Sequence, residues 1–181
     1  GEPEQRFFRR LAVFAGGFTV SAAEALSVTL GDARDVLESL TALVSHSLLR
    51  QDEQPDGEPR FAMLETIHAF AREKLAEASA EDATRGAHLD LMLAIAEEAA
   101  PHLRGPEQVT WFEKLEREHD NFRAALEYAL ERHVDEAIRL GEALARFWIA
   151  RSFLTEARDR IDRILAAAGP ARNPEAQARL L

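Results

Sequence analysis

Apolar residues recur along this chain at intervals of three and four, the period of one face of an α-helix, with one exception near residue 60. Phe7, Leu11 and Phe14 share a helical face with Phe8 beside them, and Gly16 and Gly17 supply the positive φ that can end such a helix. Ser21 and Glu24 have capping-box spacing and predict the start of a short second helix. Val36, Leu37, Leu40, Leu43 and Val44 form the stripe of a third, with Asp32 placed to cap it. The exception follows: "LLRQDEQPDGEPRFAML" holds two short apolar runs around a Pro, Asp and Gly cluster, the pattern of a hairpin with a loop longer than two residues. Helical spacing then resumes with Ile67, Phe70, Ala71, Leu75 and Ala78. Three helices, a hairpin and a helix, in that order, predict a winged helix-turn-helix over residues 1–80.

The periodicity fades into small and charged residues between 77 and 86, which places a domain boundary at a continuous helical or tight junction. Residues 81–181 then read as purely helical. Leu89, Met92, Leu93, Ala96 and Ala99 make one stripe up to Pro101; Trp111, Phe112 and Leu115 make a second; Phe122, Leu126, Ala129 and Leu130 a third. Around Leu140, Leu144, Phe147 and Trp148 the apolar surface covers more than half the circumference, as for a helix wedged between neighbours. Trp148, Phe153, Ala157 and Ile161, with Pro170 after them, approximate the order of a tetratricopeptide-type repeat. The predicted fold class is therefore mainly α: a winged helix-turn-helix followed by an array of helical hairpins.

Charge narrows the function. A net charge of -10 opposes binding to a polyanion, since clustered Lys and Arg supply most non-specific affinity for nucleic acid. The third helix offers Arg34 against Asp35 and Glu38, and the wing loop carries Asp52, Glu53, Asp56 and Glu58 with no Lys or Arg. Arg6, Arg9 and Arg10 form the one small basic cluster of that half. These residues predict a winged helix that packs against protein rather than reading DNA. A DNA-binding winged-helix regulator with a helical ligand domain is the alternative.

Catalytic chemistry finds little support. With no cysteine, thiolate metal sites, disulfides and a Cys nucleophile are excluded. The six histidines include no His-x-x-x-His pair, and the cluster Glu116, Glu118, His119 and Asp120 reads as a helix junction, with His119 ending one helix and Asp120 or Asn121 capping the next. "FAGGFT" lacks the Lys-Ser or Lys-Thr of a phosphate loop, and there is no Gly-x-Ser-x-Gly elbow. The expectation is no catalytic residue, no metal and no cofactor held by this chain. No apolar run reaches the roughly 20 residues that cross a bilayer, so no membrane partner is expected and the location is read as cytoplasmic. The start without Met, and an end at "NPEAQARLL" inside a helical pattern, predict a piece of a longer protein.

Several stretches together carry a resemblance: "RFFRRLAVFAGGFTVSAAEAL", "VLESLTALVSHSLLR", "RFAMLETIHAFAREKL", "HLRGPEQVTWFEKLEREHDNFRAAL" and "ALARFWIARSFLTEARDRIDRIL". The chain resembles bacterial signal-transduction ATPases of the STAND class (NB-ARC-like), as found in LuxR-type and antibiotic-regulatory-protein-type transcription regulators. That resemblance implies an upstream nucleotide-binding domain that uses ATP and ADP, a winged helix docked on it, and a tetratricopeptide-like array that senses an effector or protein partner. Proteins of this class carry Met-His-Asp after the second wing strand, with the His on the nucleotide phosphate. The matching positions here are Met63, Leu64 and Glu65, so a Leu that donates no hydrogen bond stands where the His would be. Trp111, Phe147, Trp148 and Phe153 are the candidates for a partner interface on the array, with helical packing as the competing reading.

Overall fold

The computed structural model describes residues 1–54, 57–151 and 154–169, with the side chains of 154–157 left out. Asp56, Phe153 and Pro170, used above, lie outside the described residues. The described residues fall into two compact units that divide between Leu91 and Met92.

In the first unit, α1 (Glu2–Leu11) leads through a turn to β1 (Phe18–Thr19), then come α2 (Val20–Thr29), α3 (Val36–Ser45), β2 (Arg50–Glu53), β3 (Pro59–Ala62) and α4 (Glu65–Ala76). The predicted hairpin is present as β2 and β3, antiparallel, with Arg50 opposite Ala62 and Glu53 opposite Pro59. Strand β1 is not foreseen by the apolar pattern and adds a third strand on the far side of β3, with Phe18 opposite Phe61. Two residues are too few to show an alternation. This helix, strand, helix, helix, hairpin order is a winged helix-turn-helix with α3 as the second helix of the motif.

The core explains the order. Phe7, Phe8, Leu11, Phe14, Phe18, Leu26, Leu40 and Phe61 are buried together, and Phe18 stacks on Phe61 at 6.1 Å. Each fully buried Phe or Leu adds about 1.5–3 kcal/mol. Strand β2, by contrast, is exposed at every position and reads Arg-Gln-Asp-Glu, a charged edge that discourages further strand pairing.

Gly17 adopts φ +81°, but its role differs from the predicted helix stop, because α1 has already ended at Leu11. A Cβ at residue 17 would sit 2.7 Å from the Phe61 carbonyl oxygen, so the glycine lets the turn before β1 lie against β3. Arg60, buried in β3, holds that turn by donating from Nε to the Gly16 carbonyl (3.2 Å) and from Nη2 to the Gly17 carbonyl (2.9 Å). Two predicted caps are also corrected. Thr19, and not Ser21, caps α2 by accepting from the Ala22 amide; Asp35, and not Asp32, caps α3 by accepting from the Glu38 amide.

Helix α5 (Glu81–Ala99) contributes to both units. Its first part packs in the core of the first, where Ala87 is buried and His88 meets Phe14 edge-on at 5.2 Å. The second unit continues with a 3₁₀ turn (Ala100–Leu103), α6 (Gln108–Arg117), α7 (His119–Arg132), α8 (Val134–Ala150) and α9 (Leu154–Ala168). Helix α8 packs on both α7 and α9, which accounts for its wide apolar surface. No described helix is long and apolar enough to cross a membrane.

Candidate functional site

The surface that would meet DNA in a winged helix is built from α3 and the hairpin. Helix α3 contains no Lys or Arg, and its exposed positions are Leu37, Glu38, Thr41, Ala42 and Ser45. Its hydroxyls are folded back on their own helix: Ser39 donates to the Asp35 carbonyl (2.8 Å), Thr41 to the Leu37 carbonyl (2.8 Å) and Ser45 to the Ala42 carbonyl (2.7 Å). A helix so arranged presents aliphatic and acidic groups where base readers present Arg, Asn or Gln.

The neighbouring cations are committed. Arg50, at the base of the hairpin, pairs with Asp52 at 3.2 Å. Arg10 and Arg34 both reach Asp32, at 3.2 and 3.0 Å, and Arg34 also donates to the Pro3 carbonyl. This is why Asp32 does not cap α3. Burial pulls the Arg10 guanidinium below its ordinary pKa, against the opposing pull of Asp32. Arg9 pairs with Glu2 at 3.0 Å, so of the predicted basic cluster only Arg6 is exposed without an ion pair among the described residues.

The Met63, Leu64 and Glu65 positions lie at the junction of β3 and α4. Met63 packs partly against the core, Leu64 is 53% exposed at the N-cap of α4, and Glu65 begins the helix, where a carboxylate favours the dipole. A histidine nearby was not singled out from sequence. His68, one turn into α4, bonds through Nε2 to the Ala12 carbonyl at 2.9 Å; since a carbonyl only accepts, Nε2 carries the proton and α4 is fastened to the end of α1.

In the second unit, the aromatics divide. Phe147 and Trp148 are fully buried, so they form interior packing and present no surface to a partner. Phe147 lies 6.4 Å from Phe112 and meets His119 edge-on at 5.9 Å, while the Arg160 guanidinium sits 5.3 Å from the Trp148 ring. Trp111 is half-buried, stacked on His102 at 4.8 Å with Lys114 4.5 Å from its ring centre. It is the one described member of the proposed interface set that reaches the surface. The acidic cluster at the next junction is reordered: α6 ends at Arg117 and His119 opens α7 rather than closing α6, because Glu118 alone forms the joint. Neither Asp120 nor Asn121 caps; the buried Asn121 amide donates to the Glu118 carboxylate at 2.6 Å. No group of three or more His, Asp or Glu able to hold a metal occurs among the described residues.

Comparison with known proteins agrees with the topology. Residues 2–76 match the family described as a winged helix-turn-helix domain. The chain is 36% identical over 157 residues to a protein of Mycobacterium bovis named "Putative HTH-type transcriptional regulator", and equally to two of the same name from Mycobacterium tuberculosis strains. The match covers 86% of this chain and 18% of each relative, so the chain spans less than a fifth of their length. No solved structure matches it. The N-terminal part of this chain is therefore a winged helix-turn-helix domain, carried in a sequence homologous to proteins named as HTH-type transcriptional regulators.

Proposed function

We propose that this chain is the non-catalytic regulatory and sensor part of a multidomain transcription regulator. Its winged helix packs against protein within the same polypeptide, and its helical second unit, a tetratricopeptide-like array, receives an effector or protein partner. The resemblance to STAND-class regulators of the LuxR and antibiotic-regulatory types supports an upstream nucleotide-binding domain as the docking partner. In this reading ATP and ADP are handled there, in the cytoplasm, and the chain itself has no enzymatic activity.

The observation that carries the proposal is the charge of the surface that would face DNA. Helix α3 and the hairpin between Arg50 and Pro59 bring Asp35, Glu38, Asp52, Glu53 and Glu58 to the exterior, and the one Arg at the hairpin's exposed base is held by Asp52. A DNA reader needs cations against phosphate there.

A second reading has its own support: the winged helix-turn-helix family and the relatives' printed name, taken alone, favour a domain that binds DNA directly. An electrophoretic shift with this chain at low salt separates the two. A shift that weakens steeply with added salt supports the DNA reader; no shift supports the packing module.

A further inference from the structure

A groove of about 490 Å³ runs between α1 and α3, floored by the buried rings of Phe7 and Phe8 and by Leu43, and walled by Glu38, Ala42 and His46. Across the exposed face of α3 a shallower hollow of about 470 Å³ is lined by Leu37, Thr41 and Ser45, with Asp35, Glu38 and Ala42 shared between the two. The helix thus stands as a low ridge between two depressions, the relief into which a second helix packs by ridges and grooves. Leu37 is 56% exposed in the second hollow, outside the buried core cluster, and does not line the groove.

Charge selects the occupant. Of the cations along the groove, Arg34 is occupied by Asp32, by the Pro3 carbonyl and by the Phe7 ring 4.8 Å away, and the His46 Nδ1 is engaged with the Ala42 carbonyl at 2.7 Å. Glu4 lines the same groove and is exposed. Glu38 has no ion-pair partner among the described residues, and Asp35 is exposed with one oxygen on the Glu38 amide. The uncommitted charge beside the apolar floor is negative.

We propose that the α1–α3 groove is the docking site for an amphipathic protein helix that sets an apolar stripe on the exposed Ala42 and on the floor of Phe7, Phe8 and Leu43, and a flanking Lys or Arg on Glu38. This rests on the winged helix being a packing module, and it names the surface and the chemistry of what packs there. A duplex and an acidic peptide are both rejected by the sign of the rim.

The test is a titration of the ¹⁵N-labelled chain with a Leu/Lys amphipathic peptide of roughly 15 residues, long enough to form helix on binding. A Leu/Glu peptide of the same pattern, a DNA duplex and the apolar dye anilinonaphthalene sulfonate run beside it. The expected result is shifts in α1 and α3 with the Leu/Lys peptide alone, at least about tenfold weaker binding in Glu38→Lys and in Ala42→Trp, and no change in Glu98→Lys, an exposed carboxylate on α5. Both test residues are exposed, and unchanged circular dichroism verifies their fold. Shifts scattered over the acidic surface, or equal weakening by Glu98→Lys, would overturn the proposal. So would a groove filled by the dye and indifferent to the peptide. Shifts of α3 with the duplex would instead defeat the packing-module reading on which the proposal rests.

Discussion

Gly17 and Ser47 both have positive φ, at 81° and 59°, for different reasons and with opposite consequences. Gly17 needs that conformation and has no room for a side chain, so Gly17→Ala should cost about 2 kcal/mol or more in urea denaturation. Ser47 closes α3: its amide donates to the Val44 carbonyl and the Leu48 amide to the Leu43 carbonyl, both at 2.9 Å, the paired bonds of a Schellman end. Glycine suits that position better, and Ser47→Gly should stabilise the chain by about 0.5–1 kcal/mol in the same assay. Asp35→Ala should cost about 1 kcal/mol through loss of the α3 cap. At this scale the sequence was only partly legible. Asp32 and Asp35 are equally good caps as residue types, and only the folded position of Arg10 and Arg34 decides which one is drawn away. The stabilising bonds of Arg60 and His68 were equally hidden, because their carbonyl partners lie 43 and 56 residues away along the chain.

Among the elements, long amphipathic helices and the hairpin could be read in advance because each imposes a period on its own residues. β1 could not, since its reason to exist is β3, more than 40 residues later. Helices α7 and α9 are clamped by Glu127 and Arg163, whose Nη2 donates to the carboxylate at 2.6 Å. That hydrogen bond, foremost, holds the Glu127 carboxyl below its ordinary value of 4.5, so the pair contributes its full stability above that pH and loses it as acid protonates the carboxylate. Both side chains are about half exposed, which limits the effect to a few tenths of a kcal/mol. The stability difference between wild type and Glu127→Gln should therefore be present at pH 7 and shrink towards zero on acidification to pH 3, read as urea midpoints. A difference that grows in acid would reverse the assignment. The aromatics of α8 show why a stripe is a poor guide to a binding face: Phe147 and Trp148 sit on a helix flanked by two others, and burial takes both.

For the molecule as a whole, electrostatics is the strongest constraint on function. Residues 2–76 carry twelve carboxylates against eight Lys and Arg, and the sign is concentrated on the helix and hairpin that would have to approach phosphate. In the proposed reading the winged helix supplies shape, and the cations that would turn this shape into a DNA reader are missing from α3 and paired on the hairpin. The most direct test is fluorescence anisotropy of a randomised pool of labelled duplexes titrated with the intact chain at about 50 mM salt, where non-specific binding of DNA proteins is strong. A packing module gives a flat signal up to about 100 µM protein, the weak end of the usual non-specific range, and no enriched sequence after selection. Saturable binding that weakens with the logarithm of salt, and that is lost on adding a carboxylate at Ala42, would contradict it.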